Sequence, residues 1–203
     1  MKRIGIMGGT FDPVHNGHLL LGKQAYHEYG LDEIWYMPSH IPPHKRDRKI
    51  TDSEDRIAML RLALHDLPYC TVSEFEMERD GTTYTAHTLA LLKEEYPDTH
   101  FFFIIGADSL YEIEHWYHPE AVMKMATLLA SVREYGDARR SFTSQIDYLN
   151  RKYGADIRPL HNEEVDIASA DIRKRVLEGK DISKDVPETV KDYIVSHGLY
   201  RQS

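Results

Sequence analysis

One cysteine, Cys70, stands among 203 residues. A disulfide within the chain is therefore excluded, and so is a zinc site built from several thiolates. No apolar run is long enough to cross a bilayer as a helix. Met1-Lys2-Arg3 leads straight into a short apolar segment without the hydrophobic region of a secretory signal, so a soluble cytoplasmic protein with no membrane partner is expected. Positive charge is in deficit. Lys and Arg number 25 against 33 Asp and Glu, a formal net charge of -8, which argues against a broad nucleic-acid-binding face. A small anionic substrate stays compatible, because a local basic site can sit on an acidic protein. Internal repeats and low-complexity tracts are also missing.

What is present is an ordinary globular mixture, 41% hydrophobic and 29% charged, enough for one sizeable core and too little for two comfortable domains. Short apolar runs alternate with amphipathic ones. Arg3–Gly8, Glu33–Met37, Thr71–Glu76, His100–Gly106 and Thr127–Val132 read as strands. Gly17–Tyr29, Ser53–Leu64, Thr85–Glu95, Pro119–Lys124 and Ser144–Lys152 read as helices. Ile57, Leu60 and Leu64 keep helical spacing. Phe101 to Ile105 is continuously apolar, as in a strand covered on both faces. This alternation predicts a doubly wound, Rossmann-like α/β fold with a parallel sheet. Helix resumes at Ser169–Glu178 and Pro187–His197 with no linker before it. The expected organisation is thus a single domain over 1–203, an α/β core at 1–165 carrying a small helical subdomain at 166–203.

Ligands of such sheets lie at the carboxyl ends of the strands, and the unusual segments fall there. The first is Gly8-Gly9-Thr10-Phe11-Asp12-Pro13-Val14-His15-Asn16-Gly17-His18, a strand-to-helix turn carrying two imidazoles. Gly8 and Gly9 let a ligand approach the backbone, Thr10 and Asp12 can bond the turn, and Pro13 stiffens it. Amides at a helix start attract anions. His15 and His18 beside them can donate hydrogen bonds to phosphate oxygens and to the added charge of a pentacoordinate transition state. In isolation a His-x-Gly-His is more often a capped turn with surface histidines; the whole string points to phosphate handling.

Three other segments join it. Pro38 to Lys49 is a proline-stiffened loop crowded with positive charge, in which Lys45 is the clearest candidate cation and Arg46, Arg48 and Lys49 suit a solvated face. Gly106-Ala107-Asp108 closes the strongest strand. There the glycine admits a sugar and Asp108 can accept from ribose hydroxyls, or cap a helix. Trp116-Tyr117 is either a pair of core aromatics or a stacking platform. His115 and His118 beside it, with His40 and His44, read as loop composition rather than a zinc set.

The first string resembles the nucleotidyltransferase signature Gly-Thr-Phe-Asp-Pro-x-His-x-Gly-His. Nearly the full length resembles bacterial nicotinate-nucleotide adenylyltransferases, through Ile41-Pro42-Pro43-His44-Lys45, Tyr84-Thr85 with Thr88-Leu89, Phe103 to Asp108, Trp116-Tyr117 and the closing His197-Gly198-Leu199-Tyr200. The first motif alone specifies only the superfamily; the Pro-rich loop and the Trp-Tyr pair narrow it.

The resemblance implies adenylyl transfer from ATP to nicotinate mononucleotide, giving deamido-NAD and pyrophosphate, with no covalent intermediate. It implies an ATP side formed by Gly9, Thr10, Phe11, His15, His18, Gly106, Asp108, Arg133, Ser169 and Arg173. The mononucleotide side would comprise Gly8, Lys45, Thr85, Trp116 and Tyr117. His18 would contact the α-phosphate, His15 would assist on the ATP phosphates, and Lys45 would complete the catalytic set. The Trp116 ring would lie on the pyridine, with Thr85 and nearby amides recognising its carboxylate. Mg²⁺ would bridge ATP oxygens, since no carboxylate cluster demands a protein-built cage. A homo-oligomer is compatible with the sequence.

Two stretches depart from the family pattern. Ile167-Ala168-Ser169-Ala170-Asp171-Ile172-Arg173 stands where the family usually has Ile-Ser-Ser-Thr-x-Ile-Arg, so Ala168 and Ala170 replace hydroxyls and weaker ATP binding is expected. Val132-Arg133-Glu134-Tyr135-Gly136 replaces the common Arg-Pro-Gly, with Arg133 as the ATP cation. The rival readings are a phosphopantetheine adenylyltransferase, a relative of class I aminoacyl-tRNA synthetases, and a catalytically silent nucleotide sensor. The Trp-Tyr pair and Pro-rich loop argue against the first, and the acidic charge argues against the second.

Overall fold

The computed structural model describes residues 1–39, 50–79, 83–132, 140–161 and 167–201. Its strands are β1 (Lys2–Gly9), β2 (Glu33–Pro38), β3 (Cys70–Val72), β4 (Thr99–Ile105), β5 (Thr127–Ser131) and β6 (Ile157–Leu160). Its helices are α1 (Asn16–Tyr29), α2 (Ser53–Leu64), α3 (Thr85–Glu95), α4 (Ala107–Glu112), α5 (Pro119–Met125), α6 (Phe142–Tyr153), α7 (Ser169–Leu177) and α8 (Glu188–Ser196), with a 3-10 turn at Ile113–His115.

The strands form one six-stranded sheet in the order β3-β2-β1-β4-β5-β6, and every pairing is parallel. This is the doubly wound, Rossmann-like arrangement expected from the alternation. Alternate side chains of each central strand face opposite layers. Phe101, Phe103 and Ile105 join Ile4 and Ile6 on the face covered by Leu89 and Leu92 of α3, Val122 of α5 and Leu149 of α6. Phe102 and Ile104 join Met7 on the other face, under Ala25 of α1, Leu60 of α2, Ile172 of α7 and Ile194 of α8. The tail therefore shares the core of the face that holds α1. Among the described residues no helix is long and apolar enough to cross a membrane.

Three local expectations are corrected. The strand expected at Thr71–Glu76 closes at Val72, because the chain turns at Glu74, whose carbonyl accepts from the Met77 and Glu78 amides. The strand β6 escaped detection because Pro159 interrupts a short run. A residue without an N–H is tolerated on the sheet edge, where β6 lies. A helix, α4, follows β4 at once. Its N-cap is Gly106, so Asp108 lies within the first turn rather than at the cap.

Candidate active site

The order of the sheet reverses between β1 and β4, so the crevice beyond their carboxyl ends is the switch point where ligands of such folds bind. β1 delivers Gly8 and Gly9 there, and β4 delivers Gly106 and Asp108. Both Gly106 and Asp108 are solvent-exposed.

From Gly9 the chain crosses to α1 through a loop with little intrinsic stability. Phe11 takes φ 49, a left-handed conformation that costs a non-glycine residue about 1–2 kcal/mol. Its ring is 2% exposed and lies edge-on to His18 at 5.0 Å between centroids. Burial of an aromatic ring contributes about 1.5–3 kcal/mol, enough to hold the strained backbone. Phe11 thus serves first as the floor beneath His18.

His15 is the N-cap of α1 and His18 lies one turn in. Their rings stack at 3.6 Å between centroids and 27° between planes. Gly17 makes this possible, since a Cβ there would stand 3.1 Å from His15 Nδ1. The His15 amide donates to His18 Nδ1 at 3.2 Å. An accepting Nδ1 places the ring proton of neutral His18 on Nε2. Burial lowers the His15 pKa from 6.5 to about 4, against an opposing pull from the Asp185 carboxylate. His15 is therefore neutral at neutral pH. It acts as a polar group rather than as a cation, and an N–H of a neutral imidazole is the donor it can offer.

Behind the loop lies a scaffold of buried polar groups. Arg56 of α2 is 2% exposed and donates to the carbonyls of Thr10 at 2.8 Å, Ser39 at 3.0 Å and Thr51 at 3.0 Å. The Ser39 amide returns to the Gly9 carbonyl at 2.8 Å. Arg173 donates to the Asp12 carbonyl at 2.6 Å and the Ser169 hydroxyl to the Pro13 carbonyl at 2.9 Å. These two expected ATP contacts thus have their described donors turned onto the loop. The Asp12 carboxylate accepts from the Tyr200 hydroxyl at 2.8 Å and the Thr51 amide at 3.4 Å. The segment before α8 holds the helix start itself: the Asn16 amide donates to the Asp185 carbonyl at 2.7 Å, and the Asn16 side chain to the Lys184 carbonyl at 3.0 Å.

On the far side of β4, Phe103 faces Gly8 and meets the Trp116 ring edge-on at 6.3 Å. Trp116 is half-buried against the core, whereas Tyr117 is 43% exposed. Tyr117 lies 4.5 Å from Tyr84, the N-cap of α3, and Thr85 begins that helix. Phe103 thus joins Trp116 to Gly8, and Tyr117 joins the same segment to the start of α3 at Thr85. His115 and His118 are each exposed and bonded to a neighbouring glutamate, Glu112 and Glu120. Lys45 and Arg133 lie outside the described residues.

Arg56, Tyr200 and Asp185 were missed by sequence reasoning. Arg56 had a signal: it stands four and eight residues before Leu60 and Leu64 on the inward stripe of α2, a place where an arginine must find buried acceptors. Tyr200 stands in the closing string that carries the resemblance, yet nothing local pointed to its role, and Asp185 had no signal, because their partners are remote in sequence. Among the described residues no three His, Cys, Asp or Glu side chains are grouped to hold a metal ion.

The cytidylyltransferase-like family profile matches residues 6–175. Together with the sheet order and the paired histidines, this makes the chain a nucleotidyltransferase of that class. Nicotinate-nucleotide adenylyltransferase of Bacillus subtilis is 42% identical over 200 residues, covering 98% of this chain and 99% of its own. A Lachnoclostridium phytofermentans relative is 44% identical over 200 residues and covers 98% of this chain and 100% of its own. The nicotinic acid mononucleotide adenylyltransferase of Plasmodium falciparum, solved in complex with NaAD, superposes with a TM-score of 0.81 at 22% identity over 98% of both chains, a likeness of fold. Within its class, the chain belongs to the nicotinate-nucleotide adenylyltransferase family.

Proposed function

We propose that this chain transfers the adenylyl group of ATP to nicotinate mononucleotide, giving nicotinate adenine dinucleotide and pyrophosphate. The observation that carries the reading is the stacked His15–His18 pair at the mouth of α1, set at the switch point of the sheet. A phosphate oxygen of the mononucleotide attacks the α-phosphorus in line, the bond to the bridging oxygen of the β-phosphate breaks, and pyrophosphate leaves. No group on the protein is consumed. Catalysis is positioning and charge stabilisation, with His18 Nε2–H donating to the α-phosphate and the first amides of α1 adding positive potential. His15 assists on the ATP phosphates, joined there by Arg133 and the helix start at Ser169, while Lys45 contacts phosphate from the mononucleotide side. Gly106 and Asp108 take the adenosine sugar. Trp116 stacks on the pyridine ring, with Tyr117 beside it on the mononucleotide side, while Thr85 reads the ring carboxylate.

Mg²⁺ arrives on the ATP phosphates as part of the substrate. Of the two buried carboxylates by the turn, Asp12 already accepts from Tyr200 and Thr51 and Asp185 is paired with Arg175, which suits an ion held by phosphate rather than by protein. The test is pyrophosphate release from ATP and Mg²⁺ with nicotinate mononucleotide, nicotinamide mononucleotide or phosphopantetheine as acceptor. Release with the nicotinate substrate far above the other two is expected. Equal release with the amide would overturn the assignment of Thr85, and release only with phosphopantetheine would overturn the reading.

A further inference from the structure

We propose that Tyr200, beyond α8, is a positioning residue for the His15–His18 site, holding Asp12 and through it the turn that carries both histidines. The claim that this affects catalysis rests on the adenylyl-transfer reading; the claim that it orders the turn does not.

The Asp12 carboxylate is 5% exposed, and a buried charge persists only where hydrogen bonds replace water. Its short side-chain bond is the one from Tyr200, at 2.8 Å; the Thr51 amide is farther, at 3.4 Å. Burial and the Asp12 charge together raise the Tyr200 pKa, so its hydroxyl stays protonated and remains a donor. Phe11 and Tyr200 both take left-handed backbone angles, φ 49 and φ 62, which non-glycine residues keep only where the surroundings impose them. Each therefore relies on contacts from elsewhere, and the Tyr200–Asp12 bond joins residues 188 apart in sequence. Three residues beyond Asp12 the His15 amide binds His18 Nδ1 and selects its tautomer, so slack at Asp12 reaches the catalytic ring.

The test compares Tyr200→Phe with Tyr193→Phe. Both remove only a hydroxyl, and each hydroxyl donates to an aspartate at 2.8 Å, Asp12 for Tyr200 and Asp55 for Tyr193. Amide hydrogen exchange across residues 10–18, the His15 amide above all, reads the order of the turn without substrate. Tyr200→Phe is expected to speed that exchange about tenfold and to lower kcat/KM for ATP about tenfold or more, as misplaced groups do. Tyr193→Phe is expected to move neither. Unchanged exchange in Tyr200→Phe, or equal changes in both variants, overturns the proposal. If the parent protein proves unable to transfer adenylyl groups, the function reading falls while the exchange result still decides the role of Tyr200.

Discussion

The hydroxyl of Tyr36 occupies the space that a Cβ on Gly22 would need: such an atom would overlap the hydroxyl and stand 3.0 Å from Tyr36 Cζ. From that niche the hydroxyl donates to the His18 carbonyl at 3.1 Å. A fully buried side chain of β2 thereby supports the helix turn that carries His18.

Gly22→Ala is therefore expected to destabilise the protein despite the better helix former. Alanine adds about 1 kcal/mol in helix propensity, whereas overpacking a tight core costs typically about 1–3 kcal/mol. Chemical denaturation should show a net loss, and Tyr36→Phe in the same background should recover part of it. A stabilised Gly22→Ala protein would show that Tyr36 yields freely and does not fix α1.

In the proposed mechanism, replacing His18 by alanine removes the Nε2 donor from the reacting phosphate. A transition-state donor of this kind is worth on the order of 10² in kcat. The expected result is that loss with little change in melting temperature. A variant turning over near the parental rate would exclude His18 from the chemistry.

Trp116→Ala tests the division of the site. Its ring is expected to stack on the pyridine, so the KM for the mononucleotide should rise well above any change for ATP. Trp116 also packs on the core, and truncating a large aromatic costs about 3–5 kcal/mol when fully buried and less at this half-buried position. Steady-state titration of each substrate separates the roles, because lost packing alone would move both constants together.

His15 links acid stability to burial. The folded chain binds its proton with a pKa of about 4, against an ordinary value of 6.5. As pH falls below 6.5 the unfolded chain takes up that proton first, so stability decreases down to about pH 4 and is fully retained above 6.5. The gap corresponds to about 3 kcal/mol at most. Urea titrations across this window should show a shallower fall for His15→Gln than for the parent. Parallel curves would mean that His15 is solvated in the folded protein.

Much of this protein was readable along the chain. The apolar period set the sheet and most helices, because strand and helix patterns are local and each layer of a parallel sheet repeats them. The Gly8–His18 string announced its chemistry because a strand, a turn and a helix start are contiguous there. Local rules failed where the signal came from elsewhere. β6 is a strand because a parallel neighbour, β5, offers it a ladder that Pro159 interrupts only at the edge. Arg56 is buried because three loop carbonyls converge on it, and Tyr200 meets Asp12 because α7 and α8 share a core face with α1. Periodicity reports which face of an element is apolar; only folding in three dimensions decides which polar groups are trapped with it and must pair.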